Sequence, residues 1–121
     1  MNKEIDFNLI KEVVKERVGS SFSPELTIED VVKKVSIITG IKEREITGKS
    51  RKKEIAEARQ LSMFLSRNII GSSLSKTGLY FSGRDHSTVI HAIKTINKKQ
   101  KTDKRLKNQI NLAIQELDLS F

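Results

Sequence analysis

The sequence predicts an all-α protein, a helix-turn-helix domain preceded by an N-terminal helix and linker. Three observations carry this. Gly and Pro number only 6 and 1 in 121 residues, while Ile, Leu, Lys and Glu recur throughout, a composition that favours helix. Apolar residues return at three- and four-residue intervals in successive segments, the helical period. A short helical segment, a turn containing Gly83 and a longer helical segment follow one another over residues 72–98, the order of a helix-turn-helix.

Taken in order, residues 4–18 place Ile5, Leu9, Ile10, Val13, Val14 and Val18 at helical spacing. Gly19-Ser20-Ser21-Phe22-Ser23-Pro24 breaks that pattern and divides the chain into residues 1–24 and a domain over 25–121. Thr27, with Asp30 three residues on, reads as a capping box with Asp in place of Glu. The helix it opens buries Ile28, Val31, Val32, Val35 and Ile38, and Gly40 ends it. Residues 47–53, Thr-Gly-Lys-Ser-Arg-Lys-Lys, have no apolar anchor and read as a basic loop. A longer helix follows over 54–70, buried through Ile55, Ala58, Leu61, Leu65 and Ile69, with Gly71 closing it. Ser72 or Ser73 caps a short helix over 74–80, and Phe81-Ser82-Gly83 forms a tight turn. The next helix runs over 84–98. Val89, Ile90, Ile93 and Ile96 fall on its apolar side, opposite Arg84, Ser87, Thr88, His91, Thr95 and Lys98. Asp103 caps a last helix buried through Leu106, Ile110, Ala113, Ile114 and Leu117.

Lys and Arg total 23 against 15 Asp and Glu, giving a net charge of +8. A small basic domain of this kind points to nucleic acid as partner, ahead of an acidic membrane surface. The chain has no cysteine, which removes disulfides, thiol catalysis and Cys-based zinc sites. No apolar run approaches the ~18 residues of a membrane helix, and residues 1–15 carry no signal-peptide pattern. A cytoplasmic protein is the default expectation. Gly48-Lys49-Ser50 resembles the end of a P-loop, but the required upstream glycine is Glu43. His86 and His91, five apart, do not share a helix face and lack neighbouring ligands, so no metal or cofactor is expected. Nor does any nucleophile–base pair converge, so no catalysis is expected.

The richest stretch is Gly83-Arg84-Asp85-His86-Ser87-Thr88-Val89-Ile90-His91. It crowds a carboxylate, an imidazole and two hydroxyls into the start of a helix, the chemistry that base reading in a major groove requires. Each residue also has a plainer use. Asp85 alone is a natural N-cap; near DNA it must accept a hydrogen bond, which cytosine N4 supplies. His86 lies toward the apolar side of the wheel, so it either packs in the core or projects end-on into a groove. Lys49, Arg51, Lys52 and Lys53 form either a solvated turn or a phosphate-binding loop, and a loop arginine can enter a minor groove. Arg59, Gln60 and Arg67 are either surface polar groups or phosphate contacts.

This stretch, the preceding Ala58-Arg59-Gln60-Leu61-Ser62-Met63-Phe64-Leu65-Ser66-Arg67 and the upstream Gly48-Lys49-Ser50-Arg51-Lys52-Lys53 closely resemble the DnaA family of bacterial chromosomal replication initiators. The resemblance covers about residues 26–118, the family's C-terminal DNA-binding domain. It implies a Trp-repressor-like helical bundle that binds double-stranded DNA at short asymmetric boxes of the TTATNCACA type in the replication origin. It implies that Arg51 reads the minor groove and that Asp85, His86, Ser87 and Thr88 read the major groove. By the same resemblance Leu74 makes an apolar contact at the start of the short helix. Lys49, Arg59, Gln60, Arg67, Ser73 and His91 match positions that meet phosphates. Three positions depart from the family's habit: Ser82-Gly83 where Gly-Gly is frequent, Ser87 where Thr is common, and Ser75 where Pro is frequent. The family's ATPase module has no counterpart here, and residues 1–23 resemble its last helix and hinge. The chain is therefore expected to be an initiator fragment or, alternatively, a free-standing relative. Either way it is expected to bind no ATP, no small-molecule substrate and no membrane, and to act as a monomer on bacterial nucleoid DNA. The competing readings are a helix-turn-helix transcription regulator with another operator, which usually dimerises on two half-sites, and a module docking an acidic protein.

Overall fold

The computed structural model describes residues 26–119. The expected helix over 4–18, and with it the division at residue 24, lies outside the described residues. Those described form six α-helices and, among them, no strand.

Helix α1 (Ile28–Thr39) begins as expected. The Thr27 amide donates to Asp30 Oδ2 at 2.9 Å, and the Asp30 amide donates to Thr27 Oγ1 at 3.2 Å. Its buried face is Ile28, Val31, Val32 and Val35, and Gly40 ends it at a φ of 77°. A single turn, α2 (Glu43–Ile46), follows; the sequence pattern did not announce it. Its function in the fold is to drive Ile46 fully into the core.

The helix expected over 54–70 is α3 (Lys53–Leu65), continued by a wider-wound segment, Ser66–Ile70. There the Ser66 carbonyl accepts from Gly71 five residues on and from Ser72 at 3.1 Å. Gly71 closes it at a φ of 78°. Helix α4 (Leu74–Tyr80) is capped by Ser73, whose hydroxyl accepts from the Lys76 amide at 3.0 Å; Ser72 is buried instead. Helix α5 (His86–Lys99) starts two residues later than expected, because Asp85 takes the cap position with an extended backbone. In α6 (Lys104–Leu119) Asp103 caps by accepting from the Leu106 amide at 3.0 Å.

Helix α3 is the spine of the bundle, with α1 and α5 packed on it, α6 on α1 and α4 on α5. Phe64, Phe81, Ile46, Leu61, Val89, Ile96, Leu106 and Ile110 close into one core. One expectation is corrected here. The apolar stripe of α5 is Val89, Ala92 and Ile96, with Ile93 half-buried, while Ile90 is 37 % exposed. Ile90 lies at the edge of a stripe centred on the 89–92–96 row. On the flank away from α4, Glu57 of α3 pairs with Lys99 of α5 and with Arg105 of α6 at 2.9 Å.

Candidate nucleic-acid interface

Helix α4 meets the turn that launches α5 almost backbone to backbone. The Arg84 amide donates to the Gly78 carbonyl at 2.8 Å. A Cβ on Gly78 would stand only 2.0 Å from the Arg84 carbonyl oxygen, so glycine is required inside α4 for this contact. The chain reverses through Ser82 and Gly83, at φ of 65° and 68°, a conformation that glycine takes freely and other residues resist.

The reversal leaves the first turn of α5 in solvent. Asp85, His86, Ser87 and Thr88 are all exposed. Asp85 Oδ1 accepts from the Thr88 amide at 2.9 Å, and this bond holds its carboxyl below the usual carboxylate range. The capping use of Asp85 is therefore realised, and a capped carboxylate keeps lone pairs for a further donor. His86 is on the surface rather than in the core. Its Nε2 lies 2.7 Å from the hydroxyl of Ser75 on α4, so the short helix meets the imidazole directly. One turn on, His91 is exposed with Nε2 at 3.4 Å from Thr95 Oγ1.

Beside this turn lies the basic loop. Lys49, Arg51, Lys52 and Lys53 are exposed, and none of them joins an ion pair among the described residues. The loop's backbone is anchored from the body of the domain. Arg59 Nε donates to the Ile46 carbonyl at 2.8 Å, Nη1 to Ser50 at 2.8 Å and Nη2 to Glu45 at 3.0 Å. Arg59 is only 5 % exposed. Burial and the nearby charge of Arg84 lower its hold on its proton. Arg59 is thus buried rather than on the surface, where sequence reading had placed it as one alternative. In the free domain its guanidinium works inward, on three carbonyls of the segment it supports.

The remaining expected residues spread around these two features. Gln60 is half-buried on α3. Arg67 is exposed and donates through Nη1 to the Ser72 carbonyl at 2.9 Å. Ser73 is exposed as the α4 cap, and Leu74 is half-buried against the core. Sequence reading missed Gly78, Ser75 and Ser82 as parts of the site, and it placed Arg84 on the polar face of α5, whereas its Nη1 turns to the carbonyls of Phe81 and Gly48. Only Gly78 carried a local signal, a glycine inside a helical pattern. Among the described residues no cluster of three or more His, Cys, Asp or Glu is placed to hold a metal. No helix among them is long and apolar enough to cross a membrane.

Residues 28–96 match the family described as the bacterial dnaA protein helix-turn-helix. The chromosomal replication initiator protein DnaA of Chlorobaculum tepidum is 46 % identical over 98 residues, which is 81 % of this chain and 20 % of that protein. The chain thus spans about a fifth of the length of the curated relative it matches.

Proposed function

Since the chain belongs to the bacterial DnaA helix-turn-helix family, we propose that it binds double-stranded DNA sequence-specifically at DnaA boxes of a replication origin. One observation carries the reading: an exposed helix start bearing Asp, His, Ser and Thr is held next to a basic segment whose four cations join no ion pair among the described residues.

The work divides in two. Lys49, Gln60, Arg67, Ser73 and His91 fix the domain on phosphates, aided by the positive end of the α5 dipole. Arg51 enters the minor groove, while α5 presents its first turn to the major groove. There Asp85 accepts from cytosine N4, His86 and Ser87 meet base edges, and the Thr88 methyl packs on a thymine methyl. Arg59 serves this surface from beneath, by holding the loop that carries Lys49 and Arg51. The domain acts as a monomer on an asymmetric box and carries no catalytic step.

Fluorescence anisotropy with a duplex holding one TTATNCACA-type box, against a scrambled duplex across a salt series, tests this. A preference of about 10³-fold or more, falling with salt, supports it. His86→Ala should then cost about 1–3 kcal/mol on the box and little on the scrambled duplex. Equal, steeply salt-dependent binding to both duplexes contradicts box recognition and favours a regulator with another operator.

A further inference from the structure

Ser82 is, among the described residues, the one non-glycine at positive φ, in a turn whose next residue, Gly83, is also at positive φ. Its side chain gains something there that glycine cannot. The Ser82 hydroxyl donates to the Thr47 carbonyl, 35 residues away in the basic loop. Two residues on, Arg84 Nη1 donates to the Phe81 carbonyl at 2.9 Å and reaches the next loop carbonyl, Gly48, at 3.4 Å. Arg59 holds the carbonyls of Glu45, Ile46 and Ser50. The segment ending just before Arg51 is therefore tied on one side to α3 and on the other to the turn that launches α5.

We propose that Ser82 and Arg84 are positioning residues that lock the basic loop to the helix-turn-helix turn, so that Arg51 and the first turn of α5 meet DNA in one fixed register. The proposal rests on the DNA reading given above. It adds that the two reading surfaces are mechanically one, and that this chain strengthens the joint with a serine in a conformation suited to glycine. A lock of this kind raises specificity without touching a base, because ordering the loop in advance removes that cost from the specific complex.

The two residues allow a test in which stability and specificity move apart. Ser82→Gly removes the tie and relieves the positive φ, so the fold should melt at an unchanged or higher temperature. Its affinity for the box duplex should nonetheless fall about fivefold, with scrambled-duplex affinity and its salt slope unchanged, since no charge is lost. Arg84→Lys keeps the charge but loses the planar fork, and should lower the same ratio in the same direction. The decisive arm repeats Ser82→Gly in an Arg51→Ala background. With no minor-groove side chain left to place, the fivefold loss should shrink to about twofold or less. A full fivefold loss in that background, or a loss shared equally by both duplexes, overturns the lock while leaving DNA reading intact. A wild-type chain that does not discriminate between the duplexes overturns the DNA reading, and this proposal with it.

Discussion

The first turn of α5 and the basic loop lie side by side, yet they are built in opposite ways. The turn is organised by its neighbours in sequence. Asp85 caps it through Thr88 three residues on, and Val89, Ala92 and Ile96 seat it on the core. The loop has no cap hydrogen bond of its own where α3 begins. It is held by Arg59, 9 to 14 residues away, and by Ser82 and Arg84, 35 and 36 residues away. Short-range bonds form with the helix itself and survive changes elsewhere. The loop has local bonds as well, from the Lys52 amide to the Ser50 hydroxyl at 3.3 Å and from Thr47 and Gly48 back to α2, but its ties to the rest of the bundle are long-range. A local device thus fixes the surface proposed to read the major groove, and ties that are largely tertiary fix the one proposed to read the minor groove.

The strongest way to break this contrast is to strike the joint between the two regions. Gly78→Ala would ordinarily stabilise a helix by up to about 1 kcal/mol. Here the added methyl meets the Arg84 carbonyl at 2.0 Å, and the expected result is a loss of about 3 kcal/mol or more in urea unfolding. An unchanged midpoint would mean that α4 and α5 can part without consequence.

Arg59→Met separates the regions. Removing three hydrogen bonds from a buried cation should cost about 2 kcal/mol. Amide exchange should speed up across residues 46–50 while α5 keeps its protection. Equal loosening of both regions would contradict the division drawn here.

A smaller effect is expected from Asp85→Ala, which removes the α5 cap and should lower the thermal midpoint by about 5 °C. Asp85→Asn keeps an acceptor for the Thr88 amide and should hold the midpoint. It also offers a donor where the carboxylate only accepts, so its preferred base should change. Capping and base reading are thereby pulled apart at a single position.

Least is expected from Glu57, which belongs to neither region. Burial works against its ionisation, but the hydrogen bonds and charges of Lys99 and Arg105 outweigh it and lower its pKa below the ordinary value of 4.5. Its contribution is therefore fully present above about pH 4.5 and is lost as pH falls through the lower folded value. Glu57→Gln should flatten the acid limb of a stability–pH curve and leave duplex discrimination at neutral pH untouched. A change in discrimination would show that the reading surfaces depend on this flank.

The same contrast decides what the sequence made legible. Features written within a few residues were readable: the Thr27–Asp30 box, the Ser73, Asp85 and Asp103 caps, the glycines that end α1 and the wide turn, and most of the core. Features that depend on distant partners were not. Arg59 is spelled like any surface arginine, and only the arrival of three loop carbonyls turns it inward. Ser82 looks like an imperfect glycine until Thr47 is placed beside it. Helix α2 is four residues long, too short for periodicity to register, and is stabilised by the burial of Ile46. The misplacement of Ile90 has a different origin: a wheel gives the direction of an apolar face but not its width.

The central claim, that loop and helix start form one DNA-reading surface, is tested most directly by amide chemical-shift mapping of the chain titrated with a single-box duplex. The account predicts that residues 49–53 and 85–91 shift together and saturate at the same equivalence, with α1 and α6 unmoved. Shifts centred on α1 and α6, or confined to the loop while the first turn of α5 stays still, would contradict it.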